Sequence, residues 1–147
     1  MFKTILVPTD GSPLADQAIK AAIEFAQSNG GKIVGLSVAD PYPYSPLTDG
    51  SVAVDAGSYE AKMREMAQTH VQKIADAAQA ANVTCETCVR QSFNPYEEII
   101  SVAKEYQCDV IFMASHGRKG LSRLFVGSET QKVLAHSSIP VLVFRQE

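Results

Sequence analysis

Apolar positions along the chain follow two alternating rhythms. The run Lys3-Thr4-Ile5-Leu6-Val7 and the run Lys32-Ile33-Val34-Gly35-Leu36-Ser37-Val38 are nearly continuous and β-branched, as in strands covered on both faces. Between them Leu14, Ala18, Ala21, Ala22, Phe25 and Ala26 recur at three and four positions, which predicts a helix with these residues on its inward face. Ser12 is placed to cap that helix, Pro13 to occupy its first position, and Gly30-Gly31 to end it. A strand, a helix and a second strand of this kind form a right-handed crossover between parallel neighbours.

The rhythm continues after an interruption. Residues 40–57 are rich in Pro, Gly, Ser and Asp without helical periodicity, and read as a mobile surface loop that could cover a site or simply wander over the surface. Ser58 to Ala81 then carries Met63, Met66, Ala67, Val71, Ile74, Ala75 and Ala78 at helical spacing. Val83 to Arg90 alternates as a strand, Pro95 to Tyr106 forms a helix facing inward through Ile99, Ile100 and Ala103, and Asp109 to Ala114 is another buried strand. Ser128 to His136 forms the last helix. Pro140 to Phe144 forms the last strand, whose proline cannot donate to a ladder and so favours an edge. Five strands alternating with helices predict a single α/β domain over 1–147. Its expected form is a three-layer open sheet of five parallel strands with helices on both faces, binding ligands beyond the carboxyl ends of the strands.

Composition narrows the function. A net charge of −3 gives no basic face for nucleic acid. Apolar stretches such as Ile5 to Val7 fall far short of the ~20 residues that span a bilayer, and the chain opens on a strand without a signal-peptide pattern. Three cysteines, Cys85, Cys88 and Cys108, make an odd set that suits a reducing compartment better than a disulfide framework. A cytoplasmic protein, with no nucleic-acid or membrane partner, is the expectation. Cys85 and Cys88 have the spacing of a redox pair, but within a strand they point to opposite faces, and no second pair completes a zinc site.

Candidate chemistry gathers in two loops that follow strands: Val7-Pro8-Thr9-Asp10-Gly11-Ser12, and Ala114-Ser115-His116-Gly117 running on to Gly127-Ser128. Gly117 permits close backbone approach, and Gly127-Ser128 opens a helix whose free N–H groups favour an anion. Arg118, Lys119 and Arg123 add positive charge between those glycines, suited to a polyphosphate or to solvent alone. Asp10 could accept bonds from a ribose or stand near a phosphate-bound magnesium ion, and could equally cap a turn beside Ser12. His116 has no paired nucleophile and carboxylate, so no catalytic residue is assigned. Neither G-x-x-x-x-G-K-[ST] nor G-x-G-x-x-G after the first strand is present.

From Lys3-Thr-Ile-Leu-Val-Pro-Thr-Asp-Gly-Ser12 to Ile139-Pro-Val-Leu-Val-Phe144 the chain resembles the universal stress protein family. The nucleotide-binding branch of that family is marked by Gly, two residues, Gly, nine residues, then Gly followed by Ser or Thr. Gly117, Gly127 and Ser128 match the second part, while Ala114 stands at the first glycine. A methyl group there weakens binding only if the position needs positive φ or close backbone contact.

The resemblance implies the adenine nucleotide alpha hydrolase-like sheet order 3-2-1-4-5. It also implies ATP, or AMP or ADP, with magnesium carried mainly by the phosphates and Asp10 as its one possible protein contact. Pro8 and Asp10 would meet adenine and ribose, with Thr9 beside them. Val38 would flank adenine through its backbone, and Met113 and Ala114 would line the nucleoside. His116, Gly117, Arg118, Gly127, Ser128 and Glu129 would surround the phosphates. A homodimer through Val141, Leu142, Val143 and Phe144 is also implied. The function expected is an ATP-binding regulatory module in stress response. The alternatives are a non-nucleotide stress adaptor acting through its dimer surface and a slow ATP hydrolase.

Overall fold

The computed structural model describes residues 1–43, 53–117 and 126–146. The elements run β1 (Thr4–Pro8), α1 (Pro13–Asn29), β2 (Lys32–Ala39), α2 (Ala53–Ala80), β3 (Thr84–Gln91), α3 (Pro95–Glu105), β4 (Val110–Ala114), α4 (Ser128–His136) and β5 (Val141–Phe144). The strands form one parallel sheet in the order β3-β2-β1-β4-β5, as expected.

β1 is hydrogen-bonded on both sides and covered on both faces, which is why its apolar run has no polar alternation. Ile5 and Val7 join Ile19, Ile23, Ile33, Ile74 and Phe112 in one core cluster, while Leu6 joins Val34, Leu36, Ile99, Ile111 and Val133 in another. The first cluster packs the sheet against α1 and α2, the second against α3 and α4. Each buried Ile, Leu or Val contributes about 1.5–3 kcal/mol relative to exposure. Cys85 packs against the first cluster and Cys88 lies in the second, so the two thiols do occupy opposite faces of β3.

α1 starts and stops on the anticipated residues: Ser12 accepts from Ala15 N at 3.2 Å, Pro13 follows, and Gly30 adopts the left-handed conformation at φ 69°. Its inward face is narrower than the spacing suggested. Phe25 is 37% exposed and packs sideways between Phe2 and Phe112, at ring separations of 6.4 and 5.7 Å. On α2, Met63, Met66 and Ala75 are only half-buried, and Ala67, Val71, Ile74 and Ala78 form the packed stripe.

One boundary is corrected. α2 begins at Ala53, inside the stretch 40–57 expected to be loop. Asp55 in its first turn suits the positive helix end, and Ala56 is buried. Gly57, which signalled a loop, is a helix residue beside open space. Residues 44–52 of the expected loop lie outside the described residues. Its start is tethered to α2, because Tyr42 N donates to Glu60 Oε1 at 3.3 Å and the Tyr42 ring packs edge-on against Tyr59 at 5.6 Å.

β5 is an edge strand, with Leu142 48% exposed. Among the described residues no helix is long and apolar enough to cross a membrane. β1 lies at the point where the chain, having added β2 and β3 on one side, crosses to add β4 and β5 on the other. The crevice between β1 and β4 at their carboxyl ends is therefore the switch point of the sheet.

Candidate functional site

The buried polar residues described are Thr9, Ser12, Ser37, Ser115 and Thr130, and each lies at that carboxyl-end rim. A hydroxyl buried without a partner is costly, and here each one is used to hold the loops. Thr9 N donates to Leu36 O at 2.8 Å, Ser37 Oγ donates to Thr9 O at 2.9 Å, and Gly11 N donates to Thr9 Oγ1 at 3.1 Å. Ser12 N donates to Asp10 Oδ1 at 3.0 Å. Gly11 has φ 78°, a conformation natural to glycine. The loop after β1 is thus a fixed turn, with Asp10 folded over it.

The second loop is held in the same manner. Ser115 N donates to Phe144 O at 2.7 Å, Gly127 N donates to Ser115 O at 2.8 Å, and Thr130 Oγ1 donates toward Ala114 O and Ser115 O at 3.0 and 3.2 Å. Ser115 Oγ and His116 Nδ1 share a hydrogen bond of 3.0 Å. The two ends of the loop, separated in sequence by residues 118–125, are therefore joined at Ser115 and Gly127.

The two loops meet at Asp10 and Gly117. A Cβ placed on Gly117 would overlap Asp10 Oδ2, so the carboxylate of the β1 loop lies directly against the backbone of the β4 loop and would have to turn aside for any larger residue. Gly127 is equally confined: its Cβ would stand 2.9 Å from Ser115 O, a backbone atom that cannot swing aside. Gly127 is the N-cap of α4 and supplies no side-chain cap. The first N–H groups of that helix therefore lack side-chain acceptors from their own cap, and they carry the positive end of the helix dipole.

The remaining candidates fall into place around this rim. Pro8 is half-buried at the end of β1 beside Leu36, and Val38 is half-buried at the end of β2. Met113 sends its side chain into the second core cluster and pairs with Val143 of β5 in the sheet. Ala114 ends β4 paired with Phe144 and is not among the residues with positive φ. The position therefore makes no conformational demand that only glycine satisfies. Ser128 is exposed as the first residue of α4.

Glu129 is turned elsewhere: its Oε2 accepts from Tyr96 N of α3 at 3.0 Å and its Oε1 faces Lys132 Nζ at 3.4 Å. Arg118, together with Lys119 and Arg123, lies outside the described residues. The structural hydroxyls Ser37, Ser115 and Thr130 were not singled out from sequence. Their only signal was a polar residue standing where a strand or first helical turn would otherwise be apolar.

No thiol belongs to this rim. Cys108 precedes β4 at the amino ends of the strands, and burial, aided by the neighbouring Asp109 charge, pushes its pKa up to about 11. Burial also raises the Cys85 and Cys88 thiols. Among the described residues no group of three or more His, Cys, Asp or Glu side chains is arranged to hold a metal ion.

Comparison with known proteins places this geometry. The model of the universal stress protein family matches residues 1–145. The chain belongs to that family. A universal stress protein of Thermus aquaticus is 30% identical over 145 residues, covering 99% of this chain and 100% of the relative. The solved structure of MJ0577, a universal stress protein of Methanocaldococcus jannaschii, superposes with a TM-score of 0.84 at 28% identity, covering 100% of this chain and 98% of that one. A universal stress protein solved in complex with cAMP shares the fold at a TM-score of 0.69 and 23% identity, covering 99% of each chain.

Proposed function

We propose that this universal stress protein binds an adenine nucleotide, ATP with AMP or ADP as alternatives, across the carboxyl ends of β1 and β4, and acts as a regulatory module in stress response. The observation that carries the reading is the contact between Asp10 and Gly117, which joins the two loops into one rim. Beside them the N-terminus of α4 is held in place by the Gly127–Ser115 hydrogen bond.

In this reading Pro8, Thr9 and the backbone of Val38 enclose the base, Asp10 accepts from the ribose, and Met113 and Ala114 line the nucleoside through backbone and a small side chain. Phosphates lie against Gly117, Gly127 and Ser128, where backbone N–H groups and the helix dipole favour negative charge. His116 orients the loop through Ser115, and Arg118 adds charge. That one universal stress protein was solved with cAMP agrees with an adenine nucleotide as ligand class.

A magnesium ion fits only as the companion of the phosphates. Mg²⁺ is commonly held by one or two carboxylates plus phosphate oxygens and water, and Asp10 is a carboxylate on this rim. The proposed role is regulatory because the features that carry it are anion donors at a fixed helix end. A homodimer through β5 and a cytoplasmic setting complete the proposal. The first is supported by the exposed Leu142 on an edge strand, the second by free Cys85, Cys88 and Cys108.

Equilibrium dialysis with labelled ATP tests the ligand class. Saturable binding competed by ADP and AMP but not by GTP is expected. Equal competition by GTP would place the base outside the proposed enclosure, and absence of saturable binding would favour a non-nucleotide adaptor.

A further inference from the structure

α3 and α4 each begin without a side-chain cap of their own: Asn94 makes no capping hydrogen bond, and Gly127 has no side chain to offer. A carboxylate in the first turn of a helix commonly serves that helix's own free N–H groups. Glu129 does not. From the first turn of α4 it reaches across to α3, where Oε2 accepts from Tyr96 N at 3.0 Å, and its second oxygen faces Lys132 Nζ at 3.4 Å. Lys132 also stands over the Tyr96 ring at 5.4 Å, and that ring packs on His136 at 5.3 Å.

We infer that Glu129 is a positioning residue that couples the phosphate end of the nucleotide site to the N-terminus of α3, and so to the neighbouring surface bearing the exposed Phe93. The inference rests on the nucleotide reading above. Its physical basis is competition between anions. With the carboxylate parked on Tyr96, the N-terminus of α4 keeps its donors for phosphate. With phosphate there, like-charge repulsion disfavours return of the carboxylate to its own helix end, so it stays on α3. Linkage requires the converse: whatever stabilises the α3 contact strengthens anion binding at α4. The nucleotide would thereby tighten the first turn of α3, a surface element distinct from the binding loops.

Amide hydrogen exchange at Tyr96 reads this directly, in the full chain with and without saturating Mg-ATP, with binding measured in parallel. In the unsubstituted protein ATP is expected to slow Tyr96 exchange about two- to fivefold, the range a charge near a helix end produces. Glu129→Ala, which removes the acceptor, is expected to leave Tyr96 fast with or without ATP while ATP still binds. Glu129→Gln, which keeps an acceptor oxygen but no charge, is expected to restore basal protection and lose the ATP-dependent slowing.

Bound ATP with unchanged Tyr96 exchange in the unsubstituted protein, or ATP-dependent slowing that survives in Glu129→Ala, overturns the coupling alone. Absence of ATP binding overturns the nucleotide reading and the coupling with it. Slow Tyr96 exchange in the unliganded protein that becomes fast in Glu129→Ala would then still identify Glu129 as the cap of α3.

Discussion

The hydroxyl of Thr130 donates toward the carbonyl oxygen of Ala114 at 3.0 Å, tying the first turn of α4 to the last residue of β4. Thr130 is buried, and its oxygen also lies 3.2 Å from Ser115 O. Thr130→Val keeps the shape and removes the donor. Ala114 is half-buried and Ser115 O keeps its bond from Gly127 N, so the loss is that of one hydrogen bond, about 0.5–1.5 kcal/mol, and the denaturant midpoint should fall by a corresponding amount. ATP binding should weaken with it, because the helix end that faces the phosphates loses its anchor. Unchanged stability would mean that water replaces the hydroxyl.

Ala114 stands where the nucleotide-binding branch of the family has glycine. Its backbone is ordinary strand, paired with Phe144 and without positive φ. Ala114→Gly should therefore change ATP affinity by less than about threefold, well under 1 kcal/mol. It should lower stability by about 0.5–1 kcal/mol through the added freedom of the unfolded chain. A tenfold gain in affinity would show that the methyl group obstructs the ligand.

Stability at high pH should depend on Cys108. Its thiol ionises near the ordinary value of 9.0 when unfolded but at about 11 in the folded protein, chiefly because it is buried. Between those values the unfolded chain releases a proton that the folded one keeps, so stability is intact below pH 9 and falls as pH rises towards 11. Each pKa unit is worth about 1.4 kcal/mol, which makes the full loss roughly 2–3 kcal/mol. Urea unfolding at pH 8 and pH 10.5 should show the decline in the unsubstituted protein and a shallower one in Cys108→Ala.

Leu142 is nearly half exposed on the edge strand β5. If two copies pair through this edge, Leu142→Lys should convert a dimer to a monomer in light scattering after size exclusion, since an edge lysine opposes strand addition. ATP affinity should persist, as Leu142 pairs with Phe112, two residues short of the end of β4. A dimer that survives the substitution would locate the interface elsewhere.

What was legible in the sequence depended on whether a residue's reason is local. Ser12, Pro13 and Gly30 bound α1 through capping and φ alone, and they stand where their chemistry placed them. Pro140 marked an edge because its missing N–H is a property of the residue itself. The start of α2 was hidden because Gly57 and the preceding prolines signal a loop, whereas burial of Ala56 against the body of the protein is a tertiary effect. Asp10, Gly117 and Gly127 were found at strand ends, but the mutual fit of Asp10 and Gly117 was not readable from residues so far apart in the chain. Ser37, Ser115, Thr130 and the reach of Glu129 to Tyr96 escaped for the same reason: their partners are mostly backbone groups supplied by other elements.

The most direct test of the nucleotide site is calorimetric titration of nucleotide-free protein with Mg-ATP, beside the Gly127→Val variant. The backbone of Gly127, at φ −62° and ψ 157°, is one that valine adopts readily, so the substitution acts through its Cβ, which at 2.9 Å from Ser115 O forces the joint between the two loop ends to shift. Saturable binding by the unsubstituted protein that is lost in a folded Gly127→Val variant is the expected result. No binding by the unsubstituted protein at millimolar ATP, or equal binding by both, would contradict a nucleotide site at the N-terminus of α4.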